Sequence, residues 1–164
     1  MTADCGYPGM VRLMRAAAAF AAALCLLPGT ASAMTCVPAQ LASGGYPVML
    51  VKARVNGRGP YSFLVDTGAT VTIVSASLAA RLRLTPLPVA VQGIGAGGNF
   101  STRAYVASIT VGDTHQERVV VGTFDLTQIN AAVGSIDGLL GYDFLKAYRV
   151  TIDYPARRIC LDPG

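Results

Sequence analysis

The sequence contains few of the residues on which metal sites, nucleic-acid-binding surfaces and charged interfaces depend. Its 164 residues include one histidine, four cysteines and no tryptophan, and only 13% of them are charged. One histidine and four cysteines leave little with which to build a zinc site. No basic run is longer than the pair Arg157-Arg158 and the net charge is +4, so a nucleic-acid partner is not expected. This length suits one domain rather than two lobes with separate cores.

The hydrophobic residues, which make up 52% of the chain, are concentrated near its start. Two arginines precede a charge-free apolar run at residues 16–27, and residues 31–33 (Ala-Ser-Ala) form the small-x-small pattern that signal peptidases cut. The apolar run is too short to cross a bilayer, which takes about 20 residues. We therefore expect residues 1–33 to be a signal peptide that is cleaved near Ala33, with no stable membrane anchor. The mature chain would be periplasmic or secreted.

Cleavage near Ala33 would leave two cysteines, Cys36 and Cys160. Export would place them in an oxidising compartment, where thiols tend to pair. A bridge between them within one chain would close a loop of about 124 residues. Two free thiols, or a bridge between subunits, are the alternatives. Metal binding by two cysteines so far apart in the sequence is not expected.

Apolar segments rich in β-branched residues alternate with turn signals along the rest of the chain, as in an all-β protein. The Asn56-Gly57 dipeptide, for example, is a strong hairpin signal. The predicted strands cover residues 48–55, 61–65, 70–74, 89–92, 101–111, 119–122, 149–154 and 159–161.

Helical character is confined to two short segments. Ser75 can cap a helix over Ala76–Leu82, and residues 142–147 could form one or two helical turns. Residues 34–47 contain Pro and Gly-Gly and are expected to be a loop that leads into the domain, whereas residues 123–135 look irregular. The pattern predicts one all-β domain over residues 48–164.

The segment with the clearest chemical character is the octapeptide at residues 63–70, Phe-Leu-Val-Asp-Thr-Gly-Ala-Thr. Asp66 directly follows a buried apolar strand, where a carboxylate is costly unless a partner satisfies it or a function uses it. Gly68 allows the backbone to turn tightly, and the nearby amides and the Thr67 hydroxyl can orient the carboxylate. The alternative is an ordinary turn between strands that is capped by its own aspartate.

A second segment, Asp137-Gly138-Leu139-Leu140-Gly141, lies 71 positions after Asp66. By itself it could be an ordinary core strand that leads into a helix. Together, in this order and spacing, the two segments resemble the aspartic peptidase family. The Asp-Thr-Gly-Ala form and its single copy are similar to the single-lobe, retropepsin-like branch, in its bacterial exported form. The resemblance implies a single-lobe β-barrel with one or two short helices.

The resemblance also assigns roles to residues. Asp66 would be the catalytic carboxylate, Thr67 would hydrogen-bond the opposing loop across a dimer, and Gly68 would shape the loop. Four further residues would support the loop that carries Asp66 from behind: Ala69, Leu139, Leu140 and Gly141.

The implied chemistry needs two carboxylates that share one proton, because two like charges so close cannot both ionise. One carboxylate activates a water, and the other donates a hydrogen bond to the scissile carbonyl. Asp137, Asp143 and Asp153 are not followed by Thr/Ser-Gly, so the second carboxylate is expected from Asp66 of a second subunit. The resemblance thus implies a homodimeric aspartic endopeptidase that acts on peptides without cofactor or metal. A non-catalytic peptide-binding module of the same fold and a structural envelope protein are the alternatives.

The glycine cluster at residues 93–98 has two interpretations. Gly93, Gly95 and Gly98 match the G-x-G-x-x-G fingerprint of dinucleotide sites, but that fingerprint requires a helix next, and residues 99–106 look like a strand. A glycine-rich hairpin tip is similar to the flap that closes over peptide in this family. The flap residues would be Gly93, Ile94, Gly95 and Ala96; a plain mobile hairpin is the alternative.

Three other residues receive weaker predictions. His115 lies in a polar turn, and no residue is marked as the nucleophile of a triad built on it. Tyr142 stands where retroviral relatives often carry Arg, so the dimer salt bridge of the viral type is not expected. Asp143 fits a helix cap or an ion-pair partner.

Overall fold

The computed structural model describes residues 34–95 and 98–163, so the expected signal peptide and Ala96 lie outside the described residues. The strands are β1 Thr35–Leu41, β2 Met49–Val55, β3 Arg58–Val65, β4 Ile73–Ser75, β5 Thr85–Gly95, β6 Gly98–Val111, β7 Thr114–Phe124, β8 Gly138–Leu140, β9 Arg149–Asp153 and β10 Arg158–Asp162. The helices are α1 Ala76–Leu82, α2 Thr127–Val133 and α3 Tyr142–Leu145. Within the described ranges, no helix is both long enough and apolar enough to span a membrane.

The strands form one sheet in the order β5-β6-β7-β4-β8-β3-β2-β1-β10-β9. An extra pairing of β2 with β6, with Ala53 opposite Val111, closes six of these strands into a barrel. Side chains alternate between buried and exposed along β2, as expected of a strand with one face in a core. Phe63 and Phe144 are fully buried among the aliphatic side chains that fill this barrel. The structure therefore confirms the predicted all-β, single-lobe fold.

The prediction of a loop at residues 34–47 was wrong, because the first half of this segment is strand β1. This strand buries Thr35, Val37 and Ala39 on one face and pairs with both β2 and β10. Pro38 and the glycines that follow obscured this alternation in the sequence. Pro38 is exposed and lies where β1 changes partner: it is the last β1 residue in register with β10, and the pairing with β2 begins at Ala39.

Strand β1 places Cys36 directly opposite Cys160 of β10, and the two form a disulfide. The bridge lies within one chain and joins positions 124 residues apart. Of the alternatives left open by the sequence, the structure therefore has the intrachain bridge. It fastens β1 to the C-terminal hairpin of β9 and β10.

Helix α1 confirms its prediction in detail. The Ser75 hydroxyl accepts a hydrogen bond from Leu78 N at 3.1 Å, which caps the first turn. The helix ends at Leu82 and is capped by Arg83, whose φ of 52° lies in the left-handed region.

Helix α2 lies where the sequence was predicted to be irregular, and strands β5, β6 and β7 extend beyond the ranges predicted for them. The start of α2 is stabilised by Asp125, whose Oδ1 accepts hydrogen bonds from the hydroxyl (2.6 Å) and the amide (3.0 Å) of Thr127. These two bonds lower the pKa of the Asp125 carboxyl, which is fully exposed. Residues 127–133 have few strong helix formers, and Val133 is held by packing into a second apolar cluster.

Candidate active site

Asp66 begins the loop of residues 66–72, here called the Asp66 loop, which connects β3 to β4. Strand β3 runs parallel to β8, with Val65 opposite Leu140. The amide of Asp66 continues this ladder by donating to the Leu140 carbonyl at 3.0 Å. The backbone of the aspartate is therefore fixed by the sheet, while its side chain is half-buried at the end of the strand.

The carboxylate of Asp66 is held by its own loop. Its Oδ1 accepts hydrogen bonds from the amides of Gly68 (2.9 Å) and Ala69 (3.2 Å). No donor reaches Oδ2 within the described parts of the chain. A plain turn that is capped by its own aspartate would also have the hydrogen bonds from these two amides to Oδ1. What this geometry adds is a fixed carboxylate with one oxygen available to a further partner.

Strand β8 and the residues after it contact the end of β3 and the Asp66 loop. Leu139 and Leu140 pair with the end of β3, and Tyr142 N donates to the Ala69 carbonyl at 2.7 Å. A methyl group on Gly141 would come within 2.5 Å of the Val71 carbonyl carbon. Only glycine therefore lets the two segments approach so closely.

Thr72 is a site residue that sequence reasoning missed. It is completely buried, and its hydroxyl donates to Asp143 Oδ1 at 2.6 Å and accepts from Gly141 N at 3.1 Å. The same Asp143 oxygen accepts from Thr72 N at 2.9 Å and Phe144 N at 2.8 Å. The hydroxyl thus joins the end of the Asp66 loop to the start of α3. A threonine in a β-branched apolar run gave no signal of this role.

Asp143 was predicted as a helix cap or an ion-pair partner. It does satisfy an amide in the first turn of α3, but among the described residues its main partner is Thr72 rather than a cation. Its role is to position the Asp66 loop.

Asp137 and Asp153 are each engaged elsewhere. Asp137 accepts from Ser62 N at 3.0 Å and lies 3.6 Å from an Arg81 guanidinium nitrogen. Asp153 accepts from Arg158 at 3.1 Å in the C-terminal hairpin. Neither carboxylate is presented beside Asp66 as a second acid.

The face around Asp66 is open. Thr67, Gly68 and Thr70 are exposed, and Tyr142 has 60% of its surface exposed. Tyr142 is adjacent to the loop, since its amide bonds to Ala69. Polar backbone, a threonine hydroxyl and an unusually exposed aromatic ring therefore share this surface.

An apolar cluster lies behind and beside the Asp66 loop. Leu64, Ile73 and Leu139 from the three central strands pack with Val133 of α2. Half-buried Val71 of the loop packs against the same cluster. The loop is thus supported from behind by a buried apolar cluster.

The glycine cluster forms the hairpin of β5 and β6. Gly93 lies opposite Phe100 and Gly95 lies opposite Gly98. Strand β6, rather than a helix, follows the glycines, which does not fit a dinucleotide fingerprint. The predicted flap residues Gly93, Ile94 and Gly95 belong to β5, and Ala96 falls outside the described residues.

His115 is exposed, with Nδ1 2.7 Å from the Thr110 hydroxyl and Nε2 2.6 Å from a Glu117 oxygen. Its three-residue cluster lies near the turn of the hairpin of β6 and β7, outside the Asp66 loop. In the described residues, no group of three or more His, Cys, Asp or Glu side chains is arranged to hold a metal ion.

Comparison with known proteins agrees with this geometry. A family model described as aspartyl protease matches residues 51–144, more than half of the chain and the part that contains both motifs. The comparison with curated proteins gave no significant match.

Among solved structures, a retropepsin-like aspartic protease from Rickettsia conorii is similar, with a TM-score of 0.50 and 17% identity over 79% of this chain and 90% of that one. The retroviral protease-like domain of Ddi1 from Leishmania major has a TM-score of 0.47 and 18% identity over 71% and 90% of the two chains. At such identities, the first likeness is evidence for the fold alone. Taken with the family match and the arrangement around Asp66, it leads to one conclusion: the chain belongs to the aspartyl protease family, in its retropepsin-like, single-lobe form.

Proposed function

We propose that this protein is an exported aspartic endopeptidase that works as a homodimer. The observation that carries the proposal is the hydrogen bonding of the Asp66 carboxylate. Its Oδ1 is fixed by two amides, while its Oδ2 has no donor among the described residues. One chain supplies one such carboxylate on an open face. Two copies related by a two-fold axis would bring two of them together.

In the proposed dimer, the two Asp66 carboxylates share one proton, since like charges at such short range cannot both ionise. The ionised carboxylate acts as general base on a water, and the protonated one donates a hydrogen bond to the scissile carbonyl. Thr67, exposed beside Asp66, would bond the opposing loop. A preference for apolar side chains beside the cut is proposed from the resemblance to aspartic peptidases.

The hairpin of β5 and β6 would cover the bound peptide. Its glycines permit the backbone movement that a gate needs. Export, with cleavage of a signal peptide near Ala33, is supported by the disulfide between Cys36 and Cys160, because such bonds persist in oxidising compartments.

Replacing the carboxylate tests the catalytic role. We expect Asp66→Asn to lower cleavage of a denatured protein such as casein by about 1,000-fold or more, with an unchanged unfolding midpoint. Asp113→Asn is the matched control, since Asp113 is an exposed aspartate in the turn after β6. Cleavage by Asp66→Asn at the parent rate would refute the proposal.

A mixing experiment tests the shared site. With a threefold excess of Asp66→Asn over the parent chain, random exchange leaves about one quarter of parent subunits in fully active dimers. Activity should fall to about one quarter of that of the parent chain alone, whereas the same excess of Asp113→Asn should raise the activity. Unchanged activity would mean that each chain works alone. A dimer that binds peptide without cutting it would favour a non-catalytic binding module.

A further inference from the structure

A cleft of about 270 Å³ opens between α1 and the strands β5, β6 and β7. Its floor is apolar and is made by alanines of α1 together with Leu84 and Pro86. The polar residues that line it are Arg83, Arg103, Tyr105 and Thr123. We call this the arginine cleft. None of its lining residues belongs to the Asp66 loop.

Neither arginine of the arginine cleft has an anionic partner in the part of the chain that the structure describes. No acidic residue lines the cleft. In residues 34–95 and 98–163, Arg81, Arg149 and Arg158 each form an ion pair with an aspartate, but Arg83 and Arg103 form none. Two arginines therefore line one cleft without an ion-pair partner among the described residues. Guanidinium groups match carboxylates in shape and bind them with paired, charge-assisted hydrogen bonds.

We propose that the arginine cleft binds the carboxylate of a peptide, either its C-terminus or an acidic side chain. The apolar floor beside the cations suits an anion with a small apolar body better than a free inorganic ion. The volume of about 270 Å³ lies just below the usual range of about 300–1,000 Å³ for ligand pockets and has room for one or two residues. The choice of a peptide as the ligand rests on the proposed function, whereas the anion site itself does not.

A bound carboxylate would also connect two parts of the fold. Arg83 caps α1, and Arg103 lies in β6 near the base of the hairpin proposed to cover peptide. The pairing of β5 with β6 is interrupted between Pro86 and Ala90. An anion held by both arginines would therefore join this loosely paired base of the hairpin to the barrel.

Binding can be measured by nuclear magnetic resonance titration of the Asp66→Asn mature chain, which would not cut the probe. The probes are acetyl-Ala-Leu with a free carboxylate, the same dipeptide as its amide, acetyl-Glu amide and inorganic phosphate. We expect the first or third probe to bind at least about tenfold more tightly than the dipeptide amide. Comparing these two acids shows whether the cleft takes a C-terminus or a side chain.

Variants locate the site. Arg83→Gln and Arg103→Gln should each weaken binding of the acid by about tenfold. Arg118→Gln is the matched control. Like Arg83, Arg118 is exposed, has no ion-pair partner among the described residues and has a left-handed backbone conformation (φ 55° against 52°). It does not line the cleft. This control should bind as the parent does.

Four results would overturn the inference: equal binding of acid and amide, no binding up to about 10 mM, equal losses in Arg118→Gln and Arg103→Gln, or phosphate binding as tight as the acid. None of these bears on cleavage by the parent chain. Conversely, an inactive parent chain that still bound the acid through Arg83 and Arg103 would refute the proposed peptidase and leave the anion site standing.

Discussion

The buried hydroxyl of Thr72 donates a 2.6 Å hydrogen bond to Asp143, and the two residues stand 71 positions apart in the sequence. The same hydroxyl accepts from the amide of Gly141. It thereby fastens the last residue of the Asp66 loop to the segment that follows β8. The proposed catalytic loop is thus positioned by a polar contact deep in the protein, at a residue that takes no part in the chemistry.

Removing the hydroxyl should destabilise the fold. Thr72→Val keeps the shape of the side chain but leaves the buried Gly141 amide without its acceptor and removes one of the three hydrogen bonds to Asp143 Oδ1. This should lower the free energy of unfolding by about 1–3 kcal/mol. Urea denaturation measures the difference. Thr151→Val, at an exposed position of β9, is the control and should change stability by less than about 0.5 kcal/mol. Equal stability of the two variants would contradict the role of Thr72.

Gly141 should not tolerate a side chain. A Cβ there would meet the Val71 carbonyl carbon at 2.5 Å and Thr72 N at 2.9 Å, both of them backbone atoms. We expect Gly141→Ala to cost about 3 kcal/mol or more, since backbone must move. At Gly68 a Cβ would meet only the Asp66 Oδ1 at 3.3 Å. Gly68→Ala should therefore remain folded and affect cleavage more than stability. Thermal melting of both variants checks the contrast, and a similar melting temperature for the two would count against it.

The disulfide should contribute strongly to stability. Cys36 and Cys160 close a loop across a sequence separation of 124, for which the chain-entropy model gives about 5 kcal/mol and typical losses are about 2–5 kcal/mol. The double variant Cys36→Ser/Cys160→Ser should lower the denaturation midpoint by a matching amount. On a non-reducing gel the parent chain should run as a monomer. A covalent dimer there would instead indicate a bridge between subunits.

Tyr142 should contribute to the proposed dimer. Tyr142 is 60% exposed beside the open face of Asp66, where a second copy would cover it, and buried aromatic residues often dominate interfaces. We expect Tyr142→Ala to weaken dimerisation by about 2 kcal/mol or more, measured by analytical ultracentrifugation. Tyr46→Ala is the control, because Tyr46 is similarly exposed at 57% but lies in the segment between β1 and β2. A parent-like dissociation constant for Tyr142→Ala would show that the dimer uses another face.

Local signals in the sequence were sufficient for much of the fold. Ser75 capped α1 as predicted, because a cap depends on a side chain and an amide only three residues apart. The same reasoning failed for β1, since its place in the sheet depends on pairing with β10 at the far end of the chain. It also failed for α2, whose residues have modest helical propensity and are held by packing into the cluster around Leu139.

The sequence by itself determined the chemistry that this protein can offer. An aspartate directly after a buried strand, followed by Thr-Gly and present once, requires a hydrogen-bonded loop and, for a shared-proton mechanism, a second copy. Only the tertiary structure decided how that loop is held. The Thr72–Asp143 bond, the passage of Gly141 against Val71 and the pairing of Cys36 with Cys160 all join residues about 70 or more positions apart. Local propensity cannot specify which distant groups meet, because that choice is made when the barrel closes and buried polar groups must find partners.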